Sequence, residues 1–317
     1  MASDLGTAIR SRSLGGFARS RPVTGGFRDW VRKGSYNIVE RSPDAFELIR
    51  VSSTTIVEHL ATDFWRTALA ALESMCNSNS NAVSEKGIAW RLIKQYYAAY
   101  FAAHSLMRLN NSAVLRLEKT EASHLSEFAT QNLGKPVVFE ATAYSVSVEQ
   151  IEQPECVVVI SKAVSGVPGD HQKFWSQFYA YLELLSADIA RVDDIDAIGM
   201  IARIDEVTTV MSANGYNKGG WLSSIRNAIN YQQSMGVWYP YLNYQKFDRY
   251  TSAKKSSKNI RLDFASSKMP IALFDALTWF ITLLSVEVTN DIVAQAPKSN
   301  QYCGRWKAIH QKWTELH

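Results

Sequence analysis

The sequence is poor in cysteine, proline and glycine, and these shortages exclude several classes of protein. It has three cysteines, eight prolines and sixteen glycines in 317 residues. The cysteines are far apart, and their spacing fits no disulfide framework, zinc site or redox pair. A chain without structural disulfides is typical of a reducing compartment, so we expect a cytoplasmic protein. The low glycine and proline content excludes a collagen-like or low-complexity chain.

Long apolar runs and targeting signals are also scarce. The most apolar segment, Ala276–Val286, is about half the length of a membrane span and is bracketed by Asp275 and Glu287. We therefore expect a buried helix there and no membrane association. The N-terminus has no apolar h-region, so we expect no secretory signal.

Signatures of the common enzyme classes are missing. The run Gly215–Gly220 lacks the Gly-Lys-Ser/Thr of a phosphate loop and a preceding strand, so a turn that leads into a helix is the better interpretation. The histidines form no His-Glu-x-x-His pair, and no Gly-x-Ser-x-Gly elbow occurs. We predict no metal site and no cofactor.

The charge is unevenly distributed along the chain. The net charge is +4, but residues 1–34 hold seven basic residues against two acidic ones, and residues 245–262 hold six against one. The rest of the chain is therefore mildly acidic. We expect residues 1–34, which are rich in Gly, Ser and Arg, to form a flexible basic arm, and the two basic segments predict a polyanion as partner.

Helical periodicity dominates the sequence and predicts a mainly α fold. After a cap at Ser52–Thr54, apolar residues recur at helical spacing as far as Met75, and the polar run Asn77–Asn81 ends this helix. A second long helix is predicted over about 84–109, packed on the first as an antiparallel hairpin. Further helices are expected at about 171–190, 194–213, 221–232 and 270–294, and at the C-terminus.

Short β-branched segments predict a small β element. Residues 36–40 and 46–51, joined by a Ser-Pro-Asp turn, predict a hairpin. Residues 136–140 and 155–160 predict two more strands. We interpret these as an insertion at about 136–162 in a single helical domain that spans residues 35–317.

Two segments together resemble the HEPN superfamily, the higher eukaryote and prokaryote nucleotide-binding domains. The first is WRLIKQYYAAYFAAH, from Trp90 to His104, and the second is LSSIRNAINY, from Leu222 to Tyr231. In that family a tyrosine-rich helix packs in an antiparallel helical bundle, and a later helix carries an Arg, a polar residue after it and a His a few positions on. Many members are metal-independent RNases of defence and toxin–antitoxin systems, and they usually act as dimers.

The resemblance implies catalytic candidates residue by residue. Arg226 matches the family Arg and would hold a phosphate, and Asn227 matches the polar position. Tyr231 stands where the family has His. A phenol keeps its proton at neutral pH whereas an imidazole titrates there, so Tyr231 would donate a hydrogen bond or act as an acid but would be a poor base. Three interpretations stay open: an active RNase, a phosphate site that does not cleave, and a structural hydrogen-bond cluster.

A basic loop follows this motif, and aromatic residues from Trp238 to Tyr250 are interleaved with its start. Basic side chains combined with aromatic rings are typical of proteins that bind single-stranded nucleic acid. A structural loop with core aromatics and solvated lysines is the alternative. We predict nucleic-acid binding through Lys246, Arg249, Lys254, Lys255, Lys258 and Arg261.

The function that we expect is the engagement of RNA in a prokaryotic defence or toxin-type system, with or without metal-independent cleavage. The alternative is a non-catalytic, HEPN-like subunit of a multi-protein anti-phage or toxin–antitoxin complex, which would dock through the acidic stretch 183–206 and the basic arm 1–34. The expected partners are RNA or another polyanion, together with a second copy of the chain or a partner protein of a defence system.

Overall fold

The computed structural model describes residues 5–11, 16–79, 88–163, 169–191, 196–238, 257, 260, 262, 270–297 and 299–315. These residues form a mainly α protein with one antiparallel sheet, as the periodicity predicts. The helices are α1 (Leu5–Ser11), α2 (Phe27–Lys33), α3 (Ser53–Asn79), α4 (Ile88–Leu109), α5 (Lys119–Leu133), α6 (Asp170–Ala190), α7 (Ala197–Met211), α8 (Trp221–Asn230), α9 (Pro270–Gln295) and α10 (Gln301–Glu315). The strands are β1 (Asn37–Ser42), β2 (Ala45–Ser52), β3 (Ser112–Arg116), β4 (Ala143–Glu149) and β5 (Glu155–Lys162).

The long helices α3 and α4 form the antiparallel hairpin that their spacing predicts. Lys94 donates to the carbonyl of Asn77 near one end of the pair, and Arg108 lies 3.5 Å from Asp63 further along it. The contacts therefore run in opposite order along the two helices. The apolar stripe of α3 is buried, because it packs against the stripe of α4 and against α9 and α10.

Helix α9 runs through the centre of the core. It is long and apolar enough to cross a membrane, but 89% of its most apolar 18-residue window is buried inside the protein. It contacts α1, α3, α4, α7 and α8. Its polar side chains are satisfied inside the bundle: the hydroxyls of Ser285 and Ser105 of α4 lie 2.8 Å apart, and Thr289 donates to the carbonyl of Ser285. Helix α9 is therefore the buried core helix that the sequence predicts.

The β element is larger than the sequence indicates. Five antiparallel strands pair in the order β1-β2-β5-β4-β3, with Phe46 opposite Ile160 and Val146 opposite the same residue from the other side. The hairpin predicted at 36–51 is confirmed as β1 and β2, and the strand predicted at 155–160 is β5. Because β2 and β3 flank the long helices in sequence, the sheet is built from three separate stretches and is not a simple insertion at 136–162.

The strand predicted at 136–140 is wrong. These residues are irregular, and their N–H groups are taken by side chains of α5: Val137 donates to the Thr130 hydroxyl at 3.0 Å and Phe139 donates to Ser126 at 2.8 Å. Because these backbone N–H groups already donate to hydroxyls, they cannot form hydrogen bonds with a neighbouring strand. The segment is held to the sheet by Phe139, which is buried and packs its ring 4.7 Å from that of Phe46.

The flexible basic arm predicted for residues 1–34 is wrong for the part of it that the structure describes. Helices α1 and α2 are folded against the bundle, and Phe17, Phe27 and Trp30 are buried. Two arginines of this segment form ion pairs within the chain: Arg10 pairs with Asp291, and Arg28 donates to both carboxylate oxygens of Glu121. Burial of these aromatic rings outweighs the entropy that glycines and arginines gain in a free tail.

We predict that Trp30→Ala lowers the free energy of unfolding by about 3 kcal/mol or more, because it empties a buried aromatic site. The Trp30 ring is 5% exposed and packs 5.4 Å from Phe27 and 5.2 Å from Tyr36. Equilibrium unfolding in urea measures the change. The matched control is Arg32→Ala on the exposed face of the same helix, which should change stability by less than about 0.5 kcal/mol. A Trp30→Ala protein as stable as the control would contradict this packing.

Candidate functional site

Helix α8 is seated closely on α6 by the turn that precedes it. Gly219 has φ +81°, and a Cβ at this position would lie 2.7 Å from the carbonyl oxygen of Trp175. Only glycine fits this approach. The run Gly215–Gly220 is therefore a turn that leads into a helix, as its sequence predicts. In α8 itself Leu222, Ile225 and Ile229 are buried at helical spacing, and Arg226 lies buried beside them.

The structure brings the three predicted catalytic residues together. Arg226 is 7% exposed, and its Nη1 donates to Oδ1 of Asn227 at 2.9 Å. Its guanidinium carbon lies 5.2 Å from the ring centroid of Tyr231, which is 70% exposed. Its Nη2 donates to the hydroxyl of Tyr97 in α4 at 2.5 Å. The two motif segments that resemble HEPN proteins are thus in direct contact through Arg226 and Tyr97.

No carboxylate neutralises Arg226 among the described residues. Of the five N–H groups of a guanidinium, only two have acceptors here, and the buried Nε has none. Helix α4 and the whole stretch 207–238, which includes α8, contain no Asp or Glu. The cation is held instead by neutral oxygens and by the rings of Tyr96, Tyr97 and Tyr231, each within 6 Å of its charge.

A histidine that the motif does not contain lies next to this cluster. The Nδ1 of His171, at the start of α6, is 3.0 Å from the hydroxyl of Tyr96, and that hydroxyl also accepts from the indole N–H of Trp175 at 2.9 Å. A phenol oxygen can accept from both groups, so the direction of the bond to His171 is an assignment, and we give the Tyr96 proton to Nδ1. The neutral imidazole then carries its own proton on Nε2, which has no partner among the described residues.

Burial and the charge of Arg226 set the ionisation of the cluster. Burial, assisted by the Arg226 charge, lowers the pKa of His171 to about 4, so the ring is neutral at pH 7. Burial raises the pKa of Tyr100 to about 12, and it raises the pKa of Tyr96 further. Burial lowers the pKa of Arg226, but the hydrogen bond to Tyr97 and the neighbouring phenols outweigh burial, so the net effect is a raised pKa. The cluster therefore holds one permanent positive charge.

His104, at the end of the tyrosine-rich motif, is a core residue. Its ring stacks on Phe174 with centroids 3.9 Å apart, and its Nδ1 accepts from Arg108 at 2.9 Å. A guanidinium can only donate, so this nitrogen carries no proton. Burial and the charge of Arg108 lower the pKa of His104 well below its usual value. His104 is therefore a neutral, fully packed side chain, and His171 is the histidine closer to Arg226.

The predicted nucleic-acid-binding residues Lys246, Arg249, Lys254, Lys255, Lys258 and Arg261 lie outside the described residues. Described residues next to them in the sequence are held by hydrogen bonds to helices of the core. Ser257 donates to Glu287 of α9 through its N–H at 2.9 Å and through its hydroxyl at 2.5 Å, and Arg203 of α7 donates to the carbonyls of Ser257 and Ile260. Ile260 and Leu262 are buried. The far end of the basic loop is thus fixed to α7 and α9.

Other cavities and side-chain clusters do not coincide with this site. A surface cavity of about 580 Å³ lies between α5 and the irregular segment before β4, and it contains none of the predicted site residues. Within the part of the chain that the structure describes, no three His, Cys, Asp or Glu side chains lie together as metal ligands would. The chemistry of the Arg226 cluster is therefore that of its own donors.

The donors of this cluster are of the kind that bind an anion. Besides the spare N–H groups of Arg226, the cluster offers the Asn227 amide nitrogen, the Tyr97 and Tyr231 hydroxyls and the Nε2 proton of His171. A receptor built from one cation and neutral donors suits a phosphate oxygen. It contains no evident base, because the pKa of His171 is low and its free nitrogen is the protonated one in the tautomer that we assign.

No family model, curated protein or solved structure matches the chain.

We predict that Arg226→Gln raises the pKa of His171 above about 4 while leaving it below the ordinary value near 6.5. Loss of the Arg226 charge removes one cause of the depression, but burial, the larger cause, remains. Titration of the His171 ring by NMR measures the shift. The matched control Arg191→Gln, at the other end of α6, should leave the titration unchanged. An identical His171 pKa in both variants would contradict the proximity of the two charges.

Proposed function

We propose that this chain engages RNA by binding a backbone phosphate at Arg226. The observation that carries the proposal is a guanidinium that is 7% exposed, uses two of its five N–H groups and has no carboxylate partner among the described residues. A buried, unneutralised cation gains from any anion that can reach it. The basic stretch 245–262 follows the site in sequence and would supply long-range attraction for a polyanion.

The resemblance to HEPN proteins gives this site its biological setting. We propose a cytoplasmic protein of a prokaryotic defence or toxin-type system, in which the tyrosine-rich α4 and the Arg-bearing α8 form the phosphate site. The contact between Arg226 and Tyr97 supports this proposal, because it joins the two segments on which the resemblance depends.

Binding is better supported than cleavage. Metal-independent RNA cleavage needs a base for the 2′-hydroxyl and an acid for the leaving oxygen. Tyr231 occupies the motif position of the family His, and it can serve only as a donor or an acid. His171 is held at Nδ1 by Tyr96 and is neutral at pH 7, so it is arranged as a donor to an anion. We therefore propose an RNA-binding site with little or no nuclease activity.

We predict that Arg226→Ala weakens binding of a single-stranded RNA oligomer about tenfold to hundredfold, because hydrogen bonds to charged groups contribute roughly 1.5–3 kcal/mol. Fluorescence anisotropy with labelled RNA at low salt measures the dissociation constant. Arg226→Lys should recover part of the affinity, since it keeps the charge and loses the planar fork.

The matched control is Arg191→Ala, which removes the same charge from an exposed position about 30 Å along α6 from His171. It should change RNA affinity by less than about twofold. Equal affinities for the Arg226→Ala and Arg191→Ala proteins would remove Arg226 from the binding site, and an absence of RNA binding by the wild-type chain would remove the proposed function.

We also predict that the wild-type protein leaves single-stranded RNA intact during prolonged incubation with a chelator. Gel analysis of end-labelled RNA measures cleavage directly. Efficient cleavage that is lost in both Arg226→Ala and His171→Ala would instead establish an RNase in which His171 replaces the motif His.

A second candidate function is that of a docking subunit. The acidic hairpin of α6 and α7 exposes two large apolar side chains, Leu184 at 68% and Ile198 at 81%, among exposed carboxylates that include Glu183 and Asp205. Exposed apolar side chains rimmed by charges are typical of protein–protein contacts. A wild-type chain that binds no RNA would favour this alternative, in which a basic partner protein covers the α6–α7 face.

A further inference from the structure

Helix α4 presents a large aromatic ring to solvent near its first turn. Trp90 is 54% exposed, although most of the other tryptophans in the described residues are buried. Among the described residues it contacts the ring of Trp238, edge-on with centroids 5.8 Å apart and planes at 81°. A single exposed apolar ring is common on protein surfaces, but it becomes informative where another exposed ring and a buried cation lie close to it.

Trp238 is held rigidly behind Trp90. Its indole N–H donates to the carbonyl of Ile229 at 2.7 Å, and the preceding residue, Val237, is fully buried. The chain returns to this position through a tight turn in which Gln233 and Met235 both adopt positive φ, at 50° and 74°. Such backbone conformations carry strain in residues other than glycine and persist only where the surroundings fix them. The turn thus fixes Trp238, and Trp238 supports Trp90.

This aromatic pair lies at the same end of α8 as the phosphate site. Ile229, which accepts from Trp238, is one turn beyond Arg226 in α8, and Tyr231 caps the helix. The Tyr231 ring is 70% exposed and 5.2 Å from the Arg226 guanidinium carbon. Two solvent-exposed rings, Trp90 and Tyr231, therefore flank the C-terminal end of the helix that carries the unneutralised cation.

The sequence that follows two of these rings is basic. Arg91 follows Trp90 in α4, and its Nε and Nη2 are buried with no hydrogen-bond partner. The six basic residues of 245–262 follow Trp238 in the sequence, with Asp248 as the one acidic residue among them. An apolar partner protein would gain nothing from unpaired guanidinium groups, whereas a polyanion with flat, apolar bases complements both features.

We propose that Trp90, backed by Trp238, and Tyr231 are stacking platforms for unpaired bases of a single-stranded RNA whose backbone phosphate lies on Arg226. This inference rests on the proposed function and adds its substrate class. Stacking uses the face of a base, so the site accepts any base but requires that the base is not already stacked in a duplex. The chain therefore prefers single strands to a duplex, and it has little preference among sequences.

The test compares two labelled probes of equal backbone length, an oligoadenylate RNA and an abasic oligomer, by anisotropy at low salt. The wild-type protein should bind oligoadenylate at least tenfold more tightly than the abasic oligomer. Trp90→Ala should lose about tenfold in affinity for oligoadenylate and none for the abasic oligomer, since one stacked base is removed. Trp90→Phe should keep most of the affinity because a smaller ring still stacks. Val138→Ala, at an apolar position that is 79% exposed after α5, is the matched control and should behave as wild type.

The outcomes separate this inference from the proposed function. If the wild-type protein binds both probes equally and Trp90→Ala changes neither affinity, the stacking platforms are overturned while the phosphate site stands. If the wild-type protein binds neither probe, the proposed function fails and the platforms fail with it. Tighter binding of a duplex of the same length than of the single strand would also overturn the inference.

Discussion

The structure around α8 depends on one constraint, the burial of the Arg226 guanidinium with no carboxylate beside it in the described part of the chain. Removing a charge from water is costly, and proteins usually offset that cost with an opposite charge. Here the offset comes from the Tyr97 hydroxyl, the Asn227 amide oxygen and three phenol faces, all of which are neutral. Neutral oxygens hold the guanidinium in place but do not cancel its positive charge. An anion that reaches the cluster therefore completes it.

The same constraint orders the neighbouring groups. Burial, assisted by the permanent charge of Arg226, keeps His171 neutral, and its Nδ1 lies 3.0 Å from the Tyr96 hydroxyl. The Asn227 amide is oriented because its oxygen accepts a hydrogen bond from Arg226. Each group thus becomes a donor, and none becomes a strong base. The groups of the site are therefore better suited to holding an anion than to removing a proton from a hydroxyl group.

Much of the helical framework could be predicted because its signals are local. The stripes of α3 and α4 and the turn before α8 are set by residues a few positions apart, and the predicted boundaries of these helices are close to the observed ones. The two errors have a common cause. Whether Trp30 anchors a basic segment, or Thr130 takes the N–H of Val137, depends on contacts between distant parts of the chain. Composition and β-branching do not report such contacts.

The candidate site could also be predicted only in part. Arg226, Asn227 and Tyr231 share one short motif, so their proximity follows from a single helix. His171 belongs to neither motif segment, and only the packing of α4, α6 and α8 brings it to the site. Trp90 begins the tyrosine-rich segment, but that segment does not indicate which of its rings is exposed. One signal was available in the sequence: neither α4 nor residues 207–238 contain an acidic residue, although acidic residues are common elsewhere in the chain. A long stretch without carboxylates around a buried arginine is a pattern that favours an anion site.

The most direct test of the account is to observe the Arg226 Nε–H resonance by NMR while a short single-stranded RNA is added. This N–H is buried and has no acceptor in the described residues, so it reports the guanidinium alone. The resonance is assigned by its disappearance in Arg226→Lys, and the account predicts that in the wild-type protein it shifts saturably at the same RNA concentration as binding measured independently. A resonance that does not move when RNA is bound would contradict the claim that the unneutralised Arg226 is the phosphate site.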